Sequence, residues 1–164
     1  IASGSPEMWR DIAAANQTNL SRVLGVFIES LEEFRHALDS GVLAAHLEPG
    51  LARILGDATQ LRQVIHNLLQ NAEDALAGTA DPSIEVRTER AGERVRLAIS
   101  DNGGGFAESI MKRAFEPYVT TKAKGTGLGL AIVKKIVDEH GGRVTLDNGA
   151  RGARVTLTFP LATR

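Results

Sequence analysis

Cysteine is absent from the 164 residues of this chain, which excludes a disulfide framework and a thiolate metal site. An excess of charge of either sign is missing as well. The formal net charge is −1 at pH 7, a balance that points to no nucleic-acid partner. No apolar run is long enough to span a bilayer, and no secretory signal is recognisable. Internal repeats and low-complexity tracts are also missing. What remains is a chain long enough to bury one proper core with a small appendage. It begins at Ile1 rather than Met and is expected to be a fragment of something longer. The expected location is cytoplasmic, and a domain cut from a parent anchored in the inner membrane would have the same composition.

Glycine, in contrast, is plentiful and clustered. Asp101-Asn102-Gly103-Gly104-Gly105 follows the alternating apolar run Val95, Leu97, Ile99, and about twenty residues later Gly125-Thr126-Gly127-Leu128-Gly129-Leu130 opens an amphipathic stretch that reads as a helix. Glycine lets backbone amides approach an anion with no side chain in the way, and a helix N-terminus adds a partial positive charge. A strand ending in Asp-x-Gly-x-Gly, a polar loop and a glycine-rich helix start outline a site for phosphate and adenine. The chain is therefore expected to bind a nucleotide.

The chain divides near residue 41. Ser5-Pro6-Glu7 has the chemistry of a helix start, and Leu20, Leu24, Phe27, Leu31, Phe34 and Leu38 alternate spacings of four and three, a heptad seam closed by Asp39-Ser40-Gly41. Unbroken, that helix spans on the order of 50 Å at 1.5 Å per residue. One such helix cannot bury its own stripe, so residues 1–41 are expected to form a helical dimerisation segment, pairing two copies of the chain through residues 5–38. From residue 42 the texture is mixed. Residues 42–47 read as a strand, and Asp57 caps a helix with the apolar face Leu61, Val64, Ile65, Leu68, Leu69, Ala72 and Leu76. Residues 84–88 and 94–100 form a hairpin, 107–114 a short helix, 128–140 a helix stopped by Gly141-Gly142, and 143–147 and 153–160 the last two strands. This order predicts an α/β (α+β) two-layer sandwich: a mixed, mainly antiparallel sheet covered by helices.

Asn67 and Asn71 are four residues apart, so both amides lie on one helix face a turn from each other. Two amide oxygens at that spacing could hold a hydrated magnesium ion, which keeps most of its waters and takes few protein ligands. The same pair also suits an ordinary polar face.

Taken together, these segments resemble the ATP-binding domain shared by sensor histidine kinases, DNA gyrase, the Hsp90 chaperones and MutL, the Bergerat fold. The Asn67-to-Asn71 helix is similar to the N box, Asp101 to Gly105 to the first glycine box, Phe115-Glu116-Pro117-Tyr118 to the F box, and Gly125 to Leu130 to the second glycine box, in the family's order over residues 42–164. The resemblance implies that Asp101 accepts a hydrogen bond from the adenine amine and that Asn71 coordinates Mg2+, with Asn67 beside it. Gly103 and Gly105 would free the loop past adenine, with Tyr118 of the F box in the cofactor site. Gly125, Thr126, Gly127, Leu128, Gly129 and Leu130 would carry the phosphates. Residues 106–124 would form a mobile lid whose Lys122 and Lys124 counter phosphate charge. Gyrase, Hsp90 and MutL place a glutamate four residues before the metal asparagine to activate water. Asn67 stands there, and an amide is no general base. Together with Phe-Glu-Pro-Tyr and Thr120-Thr121-Lys122, this looks like a nitrogen-regulation-type sensor kinase, a phosphoryl donor to a histidine. The alternatives are an ATPase or serine kinase of the same fold, or a non-catalytic dimerisation module with a degenerate nucleotide pocket.

The chain departs from that family in several places. The acceptor histidine of a sensor kinase sits in a His-Glu or His-Asp context on dimerisation helices; His36, the sole histidine of residues 1–41, is followed by Ala37, with no proline step. It reads as a solvent-facing residue, so little self-phosphorylation is expected, and the histidine-bearing helices and the response regulator become separate partners. His46 and His140 read as surface residues at element ends, and His66 as sitting on the helix shoulder. Glu73 and Asp74 stand where many kinases have a basic residue, and Ala153 follows Gly152 where gyrase and Hsp90 carry a threonine. Ser5-Pro6-Glu7-Met8-Trp9-Arg10-Asp11-Ile12, Asn16 and the run from Phe27 to Leu38 also weakly resemble the C-terminal dimerisation region of prephenate dehydrogenases, which would make this segment an engineered fusion; the alternative is a natural kinase linker.

Overall fold

Asp57 starts the helix on which the proposed metal face lies. Its side chain accepts from the backbone amides of Thr59 (2.7 Å) and Gln60 (3.1 Å), satisfying two donors that the first helical turn leaves open. In this computed structural model, which describes residues 42–120 and 125–162, the elements are β1 (Leu43–Leu47), α1 (Ala58–Ala75), β2 (Ile84–Ala91), β3 (Arg94–Asp101), α2 (Glu108–Met111), α3 (Gly129–Glu139), β4 (Arg143–Asn148) and β5 (Ala153–Pro160). The helix expected over residues 5–38, with His36, lies outside the described residues, as do Lys122 and Lys124.

The five strands form one sheet in the order β1-β2-β3-β5-β4. Every neighbouring pair is antiparallel except β1 with β2, which run parallel because α1 carries the chain back between them. Alternation decides the layers. Val86, Val95, Ile99, Val155, Leu157 and Phe159 are buried on one sheet face, while their neighbours Arg87, Arg96 and Arg154 face solvent on the other. Onto the apolar face α1 contributes Val64, Leu68 and Ala72, and α3 contributes Val133, Ile136 and Val137. No charged or polar residue is buried as a whole among the described residues. The expected two-layer sandwich is therefore the observed one.

The helix expected over 107–114 is shorter, four residues in α2. Beyond Met111 the chain turns through bonds spanning three residues, from Arg113 N to the Ile110 carbonyl (2.8 Å) and from Glu116 N to the Arg113 carbonyl (2.9 Å), and Pro117 then bars continuation.

The amides of Gln60 and Thr59 hold the Asp57 carboxyl below its ordinary value of 3.8, so the carboxylate stabilises the fold fully above that value and loses its effect as the pH falls through the lower folded one. Asp57→Ala is expected to lower the melting temperature at neutral pH, and the gap to the wild type is expected to narrow on acidification below 3.8. Thermal melts of both proteins across that range check it.

Candidate functional site: a cavity between sheet and helices

Between the apolar sheet face, α1 and the start of α3 lies a cavity of about 540 Å3, within the size range of small-molecule sites. Ile99 and Val155 of the sheet, Ala72 of α1, Ile110 of α2 and Val119 of the loop after it give it apolar walls. Such a slot suits a flat ring. Asp101, Asn67 and Asn71 all open into this one space, together with Gly105, Gly125, Thr126, Gly127, Gly129 and Leu130.

Asp101 stands where β3 ends, and its orientation is fixed by backbone. Its Oδ1 accepts from Gly103 N at 2.9 Å and from Ala153 N at 3.3 Å. The turn before β5 passes so close that a Cβ on Gly152 (φ +69°) would lie 2.0 Å from the Asp101 carbonyl oxygen. With Oδ1 committed to two amides, the other carboxylate oxygen is the one that can meet a ligand donor.

Asn67 and Asn71 share the α1 face expected of them. The side-chain nitrogen of Asn67 is buried and meets no partner among the described residues. An unpartnered buried amide costs about 1–3 kcal/mol, and at a cavity wall this marks a position that a ligand or its water shell completes. The Asn71 amide nitrogen is 3.7 Å from where a Cβ on Gly129 would stand, so the asparagine face and the α3 N-terminus meet side by side at the cavity wall. Leu128 caps α3 with no side-chain hydrogen bond, so no capping group competes with an anion for the first-turn amides. Thr126 Oγ1 accepts only a long bond, 3.4 Å, from Leu128 N.

Three expected site residues do not line the cavity. Gly103 packs instead on α1, where a Cβ would come within 2.2 Å of the Ala75 carbonyl oxygen. Leu128 is the cap of α3. Tyr118 is 78% exposed, and its contribution is backbone: at φ +65° its amide donates to the Gly127 carbonyl (2.9 Å), and a Cβ on Gly127 would collide with it at 2.6 Å. The F-box segment thus holds the second glycine loop through main chain while the phenol faces water.

Other residues with a structural part had drawn less attention in the sequence. Asn148 grips Phe106 just after the first glycine cluster, accepting from its amide (2.9 Å) and donating to its carbonyl (2.8 Å). Asn102 turns away from the cavity and ties the loop before β2, accepting from Ser83 N (2.8 Å) and donating to the Asp81 carbonyl (2.8 Å). His140, read as a surface residue, is half-buried and bonded to both helices. His46 and His66 are exposed as expected, and Asp74 adds a carboxylate to the cavity wall.

The sequence profile described as histidine kinase-, DNA gyrase B- and HSP90-like ATPase matches residues 56–163, the stretch that builds this cavity. The chain belongs to that family. Within it, the histidine kinase ATP-binding catalytic domain is the type present. A putative NtrY-like sensor histidine kinase of Rickettsia conorii is 44% identical over 106 residues, 64% of this chain and 18% of that protein. The C4-dicarboxylate transport sensor protein DctB of Rhizobium meliloti is 36% identical over 150 residues, 91% of this chain and 24% of its own length. The chain thus spans about a fifth of the length of the curated relatives it matches. Among solved structures, a catalytic domain of the histidine kinase ThkA superposes with a TM-score of 0.70 at 30% identity, covering 88% of this chain and 96% of that one. Full-length ShkA in complex with AMPPNP superposes at 0.67 with 31% identity, covering 85% of this chain and 30% of that one.

Proposed function

We propose that residues 42–164 bind ATP with Mg2+ and donate the γ-phosphoryl group to a histidine on dimerisation helices that these residues do not include. The observation that supports this most directly is the opening of Asp101 and Asn71 into one cavity faced by the N-terminus of α3. In this reading Asp101 accepts from the adenine amine, and the apolar walls exclude water from the ring. The amides around Gly127 and Gly129 receive phosphate oxygens. The asparagine face fits a magnesium ion on chemical grounds, offering neutral oxygen donors to a cation that keeps its waters and shares its remaining positions with phosphate. When bound, that ion would neutralise charge as the phosphoryl group departs. Asn71 would hold it, with Asn67 completing the wall, and Lys122 is proposed to counter phosphate charge. Affinity in the micromolar-to-millimolar range common to enzyme substrates is expected.

The same reading makes residues 1–41 a helical segment that pairs chains through 5–38, and a response regulator the downstream partner of the parent protein. The match to DctB covers more of the chain than residues 42–164 contain, so it reaches into this segment and favours kinase sequence there over a fused dehydrogenase element. No helix among the described residues is long and apolar enough to cross a membrane. A cytoplasmic position beneath an inner-membrane anchor fits a sensor parent.

Incubation with γ-labelled ATP, magnesium and the histidine-bearing dimerisation helices of the parent kinase is expected to place acid-labile phosphate on the helices. The chain alone is expected to acquire almost none at His36. Steady phosphate release with no transfer to the helices would instead mark an ATPase.

A further inference from the structure

The cavity lies at one end of the α1–α3 pair, and a histidine joins the two helices at the other. His140, the C-cap of α3, has its Nδ1 2.7 Å from the Ile136 carbonyl oxygen and its Nε2 2.9 Å from Asp57 N. A carbonyl only accepts and an amide only donates, so the partners assign the tautomer: Nδ1 carries the proton and Nε2 receives the amide of Asp57. Gly56 gives the ring its room, since a Cβ there would stand 2.6 Å from His140 Cδ2 and 3.0 Å from Nε2. Asp57 is in turn the N-cap of α1, so the bond runs from the N-cap of one helix to the C-cap of the other.

The consequence is geometric. Asp57 and Asn71 are separated by about 21 Å of helix at 1.5 Å per residue, and His140 and Gly129 by about 17 Å. Two antiparallel helices are joined at one end, and at the other Asn71 and Gly129 meet at the cavity wall, the Asn71 amide nitrogen 3.7 Å from where a Gly129 Cβ would stand. Any slide or splay at the joined end is carried to the cavity end, because a helix is stiff along its axis.

We propose that His140 is a positioning residue for nucleotide binding: its bond to Asp57 N sets the register of α1 against α3, and so the spacing between the asparagine face and the phosphate loop. This rests on the ATP-site reading above. The residue touches no ligand, and it acts by raising the fraction of molecules whose two walls are correctly spaced.

The experiment is calorimetric titration of the 164-residue chain with a non-hydrolysable ATP analogue and magnesium, with circular dichroism and melting curves on each variant. His140→Asn keeps a donor for the Ile136 carbonyl and loses the link to Asp57; it is expected to weaken binding about three- to tenfold, the range one hydrogen bond commands. His140→Gln, whose carbonyl reaches the place of Nε2, is expected to recover most of the affinity. Gly56→Ala displaces the ring and is expected to match His140→Asn, and the double variant to bind no worse than either single one, because both cut the same link. Folded His140→Asn and Gly56→Ala proteins that bind like the wild type would overturn the proposal, even if their melting temperatures fell. So would fully additive losses in the double variant. Should the wild type itself fail to bind, the ATP reading falls first and this inference with it.

Discussion

Asp101→Asn is expected to weaken binding of a non-hydrolysable ATP analogue by about ten- to a hundredfold while leaving the melting temperature close to that of the wild type. Both halves of the result come from the way the carboxylate is held. Gly103 N and Ala153 N both donate to Oδ1, so an asparagine must place its carbonyl oxygen there and turn its NH2 group into the cavity. The fold keeps its two bonds. The ligand loses an acceptor and meets a donor where the adenine amine also donates. A hydrogen bond to a charged group contributes about 1.5–3 kcal/mol, which sets the factor. The same exchange has a second signature. Guanine presents a carbonyl where adenine has its amine, so the variant should discriminate less between ATP and GTP analogues, and paired titrations with the two nucleotides read this directly. Unchanged affinity in the variant would remove Asp101 from the site.

Gly152→Ala is expected to damage both stability and binding. The residue is buried at φ +69°, where a side chain is strained by about 1–2 kcal/mol, and the new Cβ would fall 2.0 Å from the Asp101 carbonyl oxygen and 2.7 Å from Oδ1. Backbone cannot swing aside as a flexible side chain can, so the turn and the end of β3 must separate. A melting temperature lower by about 10 °C is expected from a combined loss of roughly 3 kcal/mol. Because the displaced atoms belong to Asp101, the residue proposed to select adenine, analogue binding should fall below detection even at temperatures where the variant is folded. Gly104→Ala is the control: a Cβ there meets nothing within 4 Å, and its melting curve should overlay that of the wild type.

Local chemistry carried much of this structure in plain view. The stripe from Leu61 to Leu76 and the cap at Asp57 announced α1, and period-two alternation announced the hairpins. Turn residues marked where the strands stop. The asparagine pair was legible because four residues make one helical turn, and the structure brings both amides to the cavity. What escaped were contacts between residues distant in sequence. Nothing near residue 43 signals that β1 will run parallel to β2, since a crossover sets that direction. Asn148 and Phe106 are 42 residues apart, and His140 and Asp57 are 83 apart, so neither bond has a local pattern. Gly103 and Gly152 follow the same logic: a glycine is visible in any sequence, but the chain that presses against it is not. Tyr118 shows the limit of assigning a side chain by motif order. The segment touches the glycine loop through its main chain, and the phenol is exposed.

The most direct measurement is a crystal structure of the chain with a non-hydrolysable ATP analogue and magnesium. The expected result is the adenine amine within hydrogen-bond distance of the Asp101 carboxylate, the metal on the Asn71 amide oxygen and the phosphates against the first turn of α3. A nucleotide seated anywhere else, or a base turned away from Asp101 with the metal held by other residues, would contradict it.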